Sequence, residues 1–142
     1  MNHSISKSIV IFGALLLCPM YLSAHEGSGI LGKSASATHY YQIDCGTGSA
    51  HLYVEVKSKG TATAPIVSAQ LSKDSFAMST TDPKNTDALP SRGLQLDAGD
   101  GGYHVTISKS KPGIAKYAFQ YHCKNSNGEH TETERKNIEY KR

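Results

Sequence analysis

The sequence predicts an all-β domain made of two packed antiparallel sheets of seven or eight short strands. Three observations point there. Apolar and polar residues alternate over short runs, and no window repeats at the helical period. Clusters of Gly, Pro, Asn, Asp and Ser separate the runs. Cys45 and Cys123 fall on the apolar faces of an early and a late run, as a bridge between two sheets requires. The 142 residues allow a single domain.

Residues 1–24 stand apart. A polar start with Lys7 leads into ten mostly apolar residues at 9–18 and a small-residue end at 19–24. This is the pattern of a secretory signal peptide cleaved after Ala24. The apolar run is shorter than the about 20 residues of a membrane span. Cys18 ends that run, but it follows Leu17, where lipid attachment needs a small residue. Removing 24 of the 142 residues leaves 118 and lowers the formal charge from +3 to +2, because Lys7 is lost. It also removes Cys18, so Cys45 and Cys123 remain as an even pair for an oxidising compartment, periplasmic or extracellular. A Cys45–Cys123 disulfide closes a loop of nearly 80 residues, worth roughly 4–5 kcal/mol in the chain-entropy description. That is a large share of a net stability of about 5–15 kcal/mol. The one Asn-X-Ser/Thr match, Asn2-His3-Ser4, lies in the leader, which favours a bacterial source.

The mature chain opens with residues 25–38, HEGSGILGKSASAT, which read as a flexible arm ahead of a domain at 39–142. Residues 39–45 alternate with Tyr41, Ile43 and Cys45 on one face, and 46–49 turn. Residues 51–57 place Leu52, Val54 and Val56 inward. A strand at 66–71 follows Pro65, and one at 75–80 turns Phe76 and Met78 inward. Residues 81–93 form a long loop, 94–96 a short strand and 97–102 a turn. Residues 103–109 put Tyr103, Val105 and Ile107 inward; after the turn at 111–113, residues 115–123 do the same with Tyr117, Phe119, Tyr121 and Cys123. Asn127-Gly128 marks a hairpin, because both residues accept positive φ. The charges of 130–136 mark an edge strand.

The triplet Tyr121-His122-Cys123 resembles the Tyr-X-Cys of strand F in immunoglobulin domains. The resemblance implies an immunoglobulin-like sandwich, although the Trp usual in such cores is absent.

Composition bounds the function. A charge of +3 does not suggest nucleic-acid binding, and no membrane span is expected once the leader is removed. Residues 27–34, GSGILGKS, match the phosphate-loop pattern G-x-x-x-x-G-K-[ST]. The chemistry needs a strand before the loop and a helix after it, and the sequence offers neither, so a Gly/Ser-rich arm is the better reading. There is no G-x-S-x-G elbow and no free thiol nucleophile. The acidic pairs Asp97/Asp100 and Glu132/Glu134 fall in a turn and on a solvated strand, and the Asp/Gly run at 97–102 lacks the repeat of convincing Ca²⁺ sites.

Histidines carry the sharper expectation. Cleavage after Ala24 makes His25 the first residue, offering its amine and its ring to one Cu(II) ion. In this it resembles exported copper proteins with a histidine brace. A second arrangement uses outward parity. With residues 103–109 and 115–123 as a hairpin, His104 lies opposite or diagonal to His122; the next hairpin brings His130 beside it, with Glu132 close. His104, His122 and His130 then form a Zn or Cu site. Tyr40 and Tyr53, outward on the hairpin at 39–57, offer a surface to a partner or a sugar. The expected function is an exported, non-enzymatic binding module for a periplasmic or extracellular protein, glycan or metal. A copper- or zinc-binding protein is the alternative, and a secreted hydrolase with no visible site comes third. Mass spectrometry of the exported protein is expected to find His25 at the N-terminus and an intact mass two hydrogens below the reduced value. A start at any other residue rules out the brace.

Overall fold

The computed structural model describes residues 25–141, with side chains from His25 to Lys136. The predicted leader at 1–24 lies outside the described residues. Nine strands are present: β1 (His25–Leu31), β2 (Thr38–Cys45), β3 (His51–Ser58), β4 (Val67–Lys73), β5 (Phe76–Thr81), β6 (Leu94–Leu96), β7 (Gly101–Lys109), β8 (Ala115–Lys124) and β9 (Thr133–Lys141). No helix occurs among the described residues. The strands form two sheets, of order β1-β8-β3-β6 and β5-β4-β7-β2-β9. Every pairing is antiparallel.

Alternation sets which side chains enter the core. Tyr41 and Ile43 on β2, Leu52, Val54 and Val56 on β3, Tyr103, Val105 and Ile107 on β7, and Tyr117 and Phe119 on β8 are all buried. Successive residues of a strand point to opposite faces, so one parity fills the core and the other faces out. Cys45 ends β2 in one sheet and Cys123 lies on β8 in the other. Their disulfide joins the sheets across 78 residues of sequence, with Cα atoms 5.4 Å apart.

Strand neighbours differ from expectation in ways that matter for the site. The turn after Cys45 and the turn around Pro112-Gly113 do not make hairpins. Each carries the chain from one sheet to the other, so β2 does not pair with β3, nor β7 with β8. Side-chain parity fixes the face a residue occupies but not the strand beside it. Positive φ at Gly48 (88°) and Gly113 (124°) serves these crossings. The Gly113 amide also donates to the Lys33 carbonyl at 2.9 Å. After Asn127-Gly128 the chain makes one bridge, Lys124 to His130, then leaves β8 to pair with β2 as the edge strand β9. Consecutive strands form a hairpin at β4–β5, where Asp74 adopts φ 52°. Phe76 and Met78 share the face of buried Leu71 but remain 57% and 41% exposed. β5 is the edge strand of its sheet, and the sheet opposite ends in the three-residue β6.

The expected arm at 25–38 is corrected too, since its first seven residues are β1. They pair with β8 from His25↔Tyr121 to Leu31↔Ala115. The glycines that suggested flexibility have a steric role. A Cβ on Gly27 would stand 2.2 Å from Phe119 Cε1; one on Gly29 would stand 2.6 Å from Tyr117 Oη and 2.9 Å from His39 Nδ1. Aromatic rings of β8 fill the space that side chains of β1 would need. Beneath them Tyr117 shares hydrogen bonds with Tyr41 and with His39 Nδ1, the latter at 2.5 Å, and burial holds the His39 imidazole below its ordinary pKa. The Arg135 guanidinium stands 5.8 Å from the Tyr41 ring. Replacing Gly27 by Ala is expected to cost about 1–3 kcal/mol through overpacking. Gly32→Ala, at a position with no atom within 4 Å of the added methyl, is expected to change little. Urea denaturation of the two variants checks the contrast.

Candidate functional site

Even-numbered residues of β8 face out, and His122 is one of them. A side chain on an outer sheet face is normally wet, yet His122 is only 8% exposed. Three rings surround it. Tyr53 lies directly across on β3, its ring stacked at 6.3 Å between centroids. His130 approaches from the turn after β8 at 4.6 Å, and His25 from the end of β1 at 6.5 Å. The His25 ring also stacks on Tyr121, its partner in the β1–β8 ladder, at 5.6 Å.

Local sequence explains how each ring arrives. His25 is placed by the register of β1 against β8. His130 is placed by a turn that Asn125 organises: its side-chain oxygen accepts from the amides of Asn127 at 2.9 Å and Glu129 at 3.0 Å, and Gly128 takes φ 81°. The Thr131 amide then donates to the Cys123 carbonyl at 2.9 Å, which holds the exit of the turn against β8. Cys123, next to His122, is tied to Cys45.

The electrostatics are one-sided. Lys124 Nζ stands 5.2 Å from the Tyr53 ring centroid, so a cation borders the corner. Burial, then the charges of His130, Lys124 and His25, push the His122 imidazole down to about 4. Burial, then Lys124 and His25, also lower His130. Among the described residues His122 Nδ1 is buried with no hydrogen-bond partner. A buried ring nitrogen without a partner is costly, and a neutral imidazole of this kind is the form that ligates metals. Among the described residues no group of three or more His, Cys, Asp or Glu side chains is placed to hold a metal ion.

Other expected site residues lie elsewhere. His104 is on β7 in the five-stranded sheet, opposite Gln42 and Ser72, and its ring stacks on Tyr40 at 5.3 Å. The structure does not bring it to His122, because β7 and β8 belong to different sheets. For the same reason Tyr40 and Tyr53 lie on different sheets and make no common surface. Glu132 packs beside Gly46. The phosphate-loop pattern runs along β1 and the turn after it, and leads into β2 rather than a helix. In the Asp/Gly turn at 97–102, Lys73 Nζ donates to the carbonyls of Ala98, at 2.8 Å, and Asp100, so an ammonium already serves them. Sequence reasoning placed His25 and His122 in two separate sites, and the edge pairing of β1 is what brings them together.

The same sheet face carries a shallow groove of about 240 Å³, lined by Glu26, Glu55, Lys57, Lys59, Gln120 and Pro90 among others. Gln120 Nε2 donates to Glu26 Oε1 at 3.0 Å, and Tyr53 donates to Glu55 Oε2 at 2.9 Å. Among the described residues no helix is long and apolar enough to cross a membrane. No known protein family, curated protein or solved structure matches the chain.

The depressed His122 pKa has a measurable consequence. The unfolded chain takes up a proton near pH 6.5, and the folded imidazole does so only near about 4. Folding stability in the metal-free protein is therefore expected to fall as pH drops from 6.5 toward 4, with no such loss above 6.5. Histidine ring signals followed by NMR should show one midpoint near about 4. His122→Phe should flatten the acid limb of the stability curve.

Proposed function

We propose that the mature chain is an exported, immunoglobulin-like, non-enzymatic binding module whose ligand is a divalent copper or zinc ion held by His25, His122 and His130. One observation carries this reading: the neutral, buried His122 ring has an unpartnered nitrogen between two further histidines. Two imidazoles on one ion, with metal–nitrogen bonds of about 2.0–2.1 Å, have centroids roughly 5–6 Å apart. The His122–His130 and His25–His122 spacings of 4.6 and 6.5 Å fall on either side of that range. Cleavage after Ala24 adds the His25 amine as a further nitrogen, which favours Cu(II).

Strand neighbours support the immunoglobulin-like reading. The disulfide joins β2 to β8 as it joins B to F, and Tyr121 stands two residues before Cys123. β2 lies beside β7 and β8 beside β3, as B beside E and F beside C. β1 takes the place of the last strand next to F, and β9 that of the first strand next to B. The leader pattern and the disulfide support export.

A protein or glycan partner is the second reading, favoured by the groove between Glu26 and Pro90 on the same face. The readings separate by titration of correctly processed, metal-free protein with Cu(II) and Zn(II). The proposal expects one ion per chain and an affinity at least about tenfold weaker, or 1.4 kcal/mol, in His122→Ala. One residue added before His25 should weaken Cu(II) more than Zn(II). Absence of binding, or binding untouched by His122→Ala, overturns the metal reading and leaves the groove.

A further inference from the structure

We infer that β5 pairs with the β5 of a second copy of this chain, antiparallel and about a two-fold axis at Ala77, so that the two five-stranded sheets join into one. This surface belongs to the other sheet from the histidine corner and does not depend on it.

A strand at the edge of a sheet presents a row of unpaired N–H and C=O groups, and edges normally carry a device against pairing. The other sheet edges here each carry one. β6 is only three residues long. β9 carries Glu134, Arg135 and Lys136. β1 carries Glu26, and the Arg135 guanidinium lies 2.7 Å from where a Cβ on Gly27 would stand. β5 carries none. Its six residues, FAMSTT, include no charge and no proline, and its ladder to β4 runs without a bulge. It offers Phe76, Ala77, Met78 and Ser79 to solvent instead. The nearest charges are held away from this edge. The Lys73 ammonium donates to the carbonyls of Ala98 and Asp100, and buried Asp82 accepts from the Ser58 amide at 2.6 Å.

The side chains of β5 select both partner and register. Directly opposite residues of an antiparallel pair share a face. Phe76 and Met78 lie on the face of Leu71, so each can oppose only a residue of that same face. With Ala77 on the axis, Phe76 of each copy lies opposite Met78 of the other, and two ring–thioether contacts form at once. Ala77 then meets Ala77 on the outer face, Ser79 meets Ser75, and Asp74 meets Thr80, so no like charges oppose. An axis at Ser79 is disfavoured, because Thr80 Oγ1 donates to the Arg92 carbonyl at 2.8 Å and so brings the 82–93 loop to that end of the strand. A foreign strand would have to supply an apolar pair of its own; this chain supplies it by symmetry. Each copy uses its single uncharged edge, so the assembly closes at two.

The test is sedimentation equilibrium of the mature chain from about 10 μM to about 1 mM, a range suited to a small interface. A reversible monomer–dimer equilibrium is expected. Ala77→Lys sets two like charges opposite each other at an exposed position and should weaken association at least about tenfold, with thermal unfolding still cooperative. Ala77→Glu should do the same. Mixing the two variants should restore a dimer, because the axis sets their opposite charges face to face. A chain that stays monomeric to the top of the range overturns the pairing and leaves the edge to a foreign strand. A dimer indifferent to both variants, or one that mixing does not restore, overturns the axis at Ala77. Growth beyond two copies overturns the closed pairing.

Discussion

Cys123 is bonded to Cys45 across the sandwich, while its neighbour His122 faces the other way on the same strand. This opposition on β8 organises the molecule. Odd residues of the strand carry Tyr117, Phe119, Tyr121 and the disulfide into the core; even residues carry Gln120 and His122 to the outer face. The pleat keeps the two chemistries apart with no loop between them. The covalent tie also limits backbone movement at 123, so the position of the His122 ring follows from the packing beneath it. A histidine in a mobile loop would place its nitrogen less reproducibly.

The corner shows how desolvation can arise on the outside of a sheet. Tyr53 stacks on His122 and the tilted rings of His25 and His130 approach it, yet His122 Nδ1 has no hydrogen-bond partner among the described residues. Burial then favours the neutral imidazole, and the nearby cationic groups add to the same direction. His39 reaches a similar state differently. It sits in the core, shares a hydrogen bond with Tyr117 and is lowered by burial. Two buried histidines thus differ in what they leave open. The Nδ1 of His39 is engaged by Tyr117, whereas the Nδ1 of His122 has no partner among the described residues. That difference is why the proposed ligand chemistry rests on His122 and not on His39.

Much of the fold was legible because alternation has a period that sequence displays directly. The inward sets of β2, β3, β7 and β8 are those that parity selects, and the cysteine facing follows from the same parity. Neighbour identity was not legible, because every inward set is compatible with either sheet. His104 shows the effect: its outward parity is correct, yet its strand belongs to the other sheet. Gly27 and Gly29 show a second limit. A glycine that permits motion and a glycine that makes room for a ring look alike in sequence; only the position of Phe119 and Tyr117 distinguishes them. Phe76 and Met78 have the inward parity yet stay exposed on an edge strand, and sequence parity does not show which strand lies at an edge.

The disulfide also divides the chain covalently. The ring closed between residues 45 and 123 encloses β3 to β7 and most of β8, whereas β1, β9 and all of β2 except Cys45 lie outside it. A protease cutting in the 82–93 loop would nick the ring and leave both pieces joined, changing the oxidised mass by one water. A cut in the segment between β1 and β2 would instead release the piece carrying His25. Damage inside the ring is thus retained, whereas a cut before β2 takes β1 and His25 with it. β1 is the strand whose survival decides whether His25 stays beside His122.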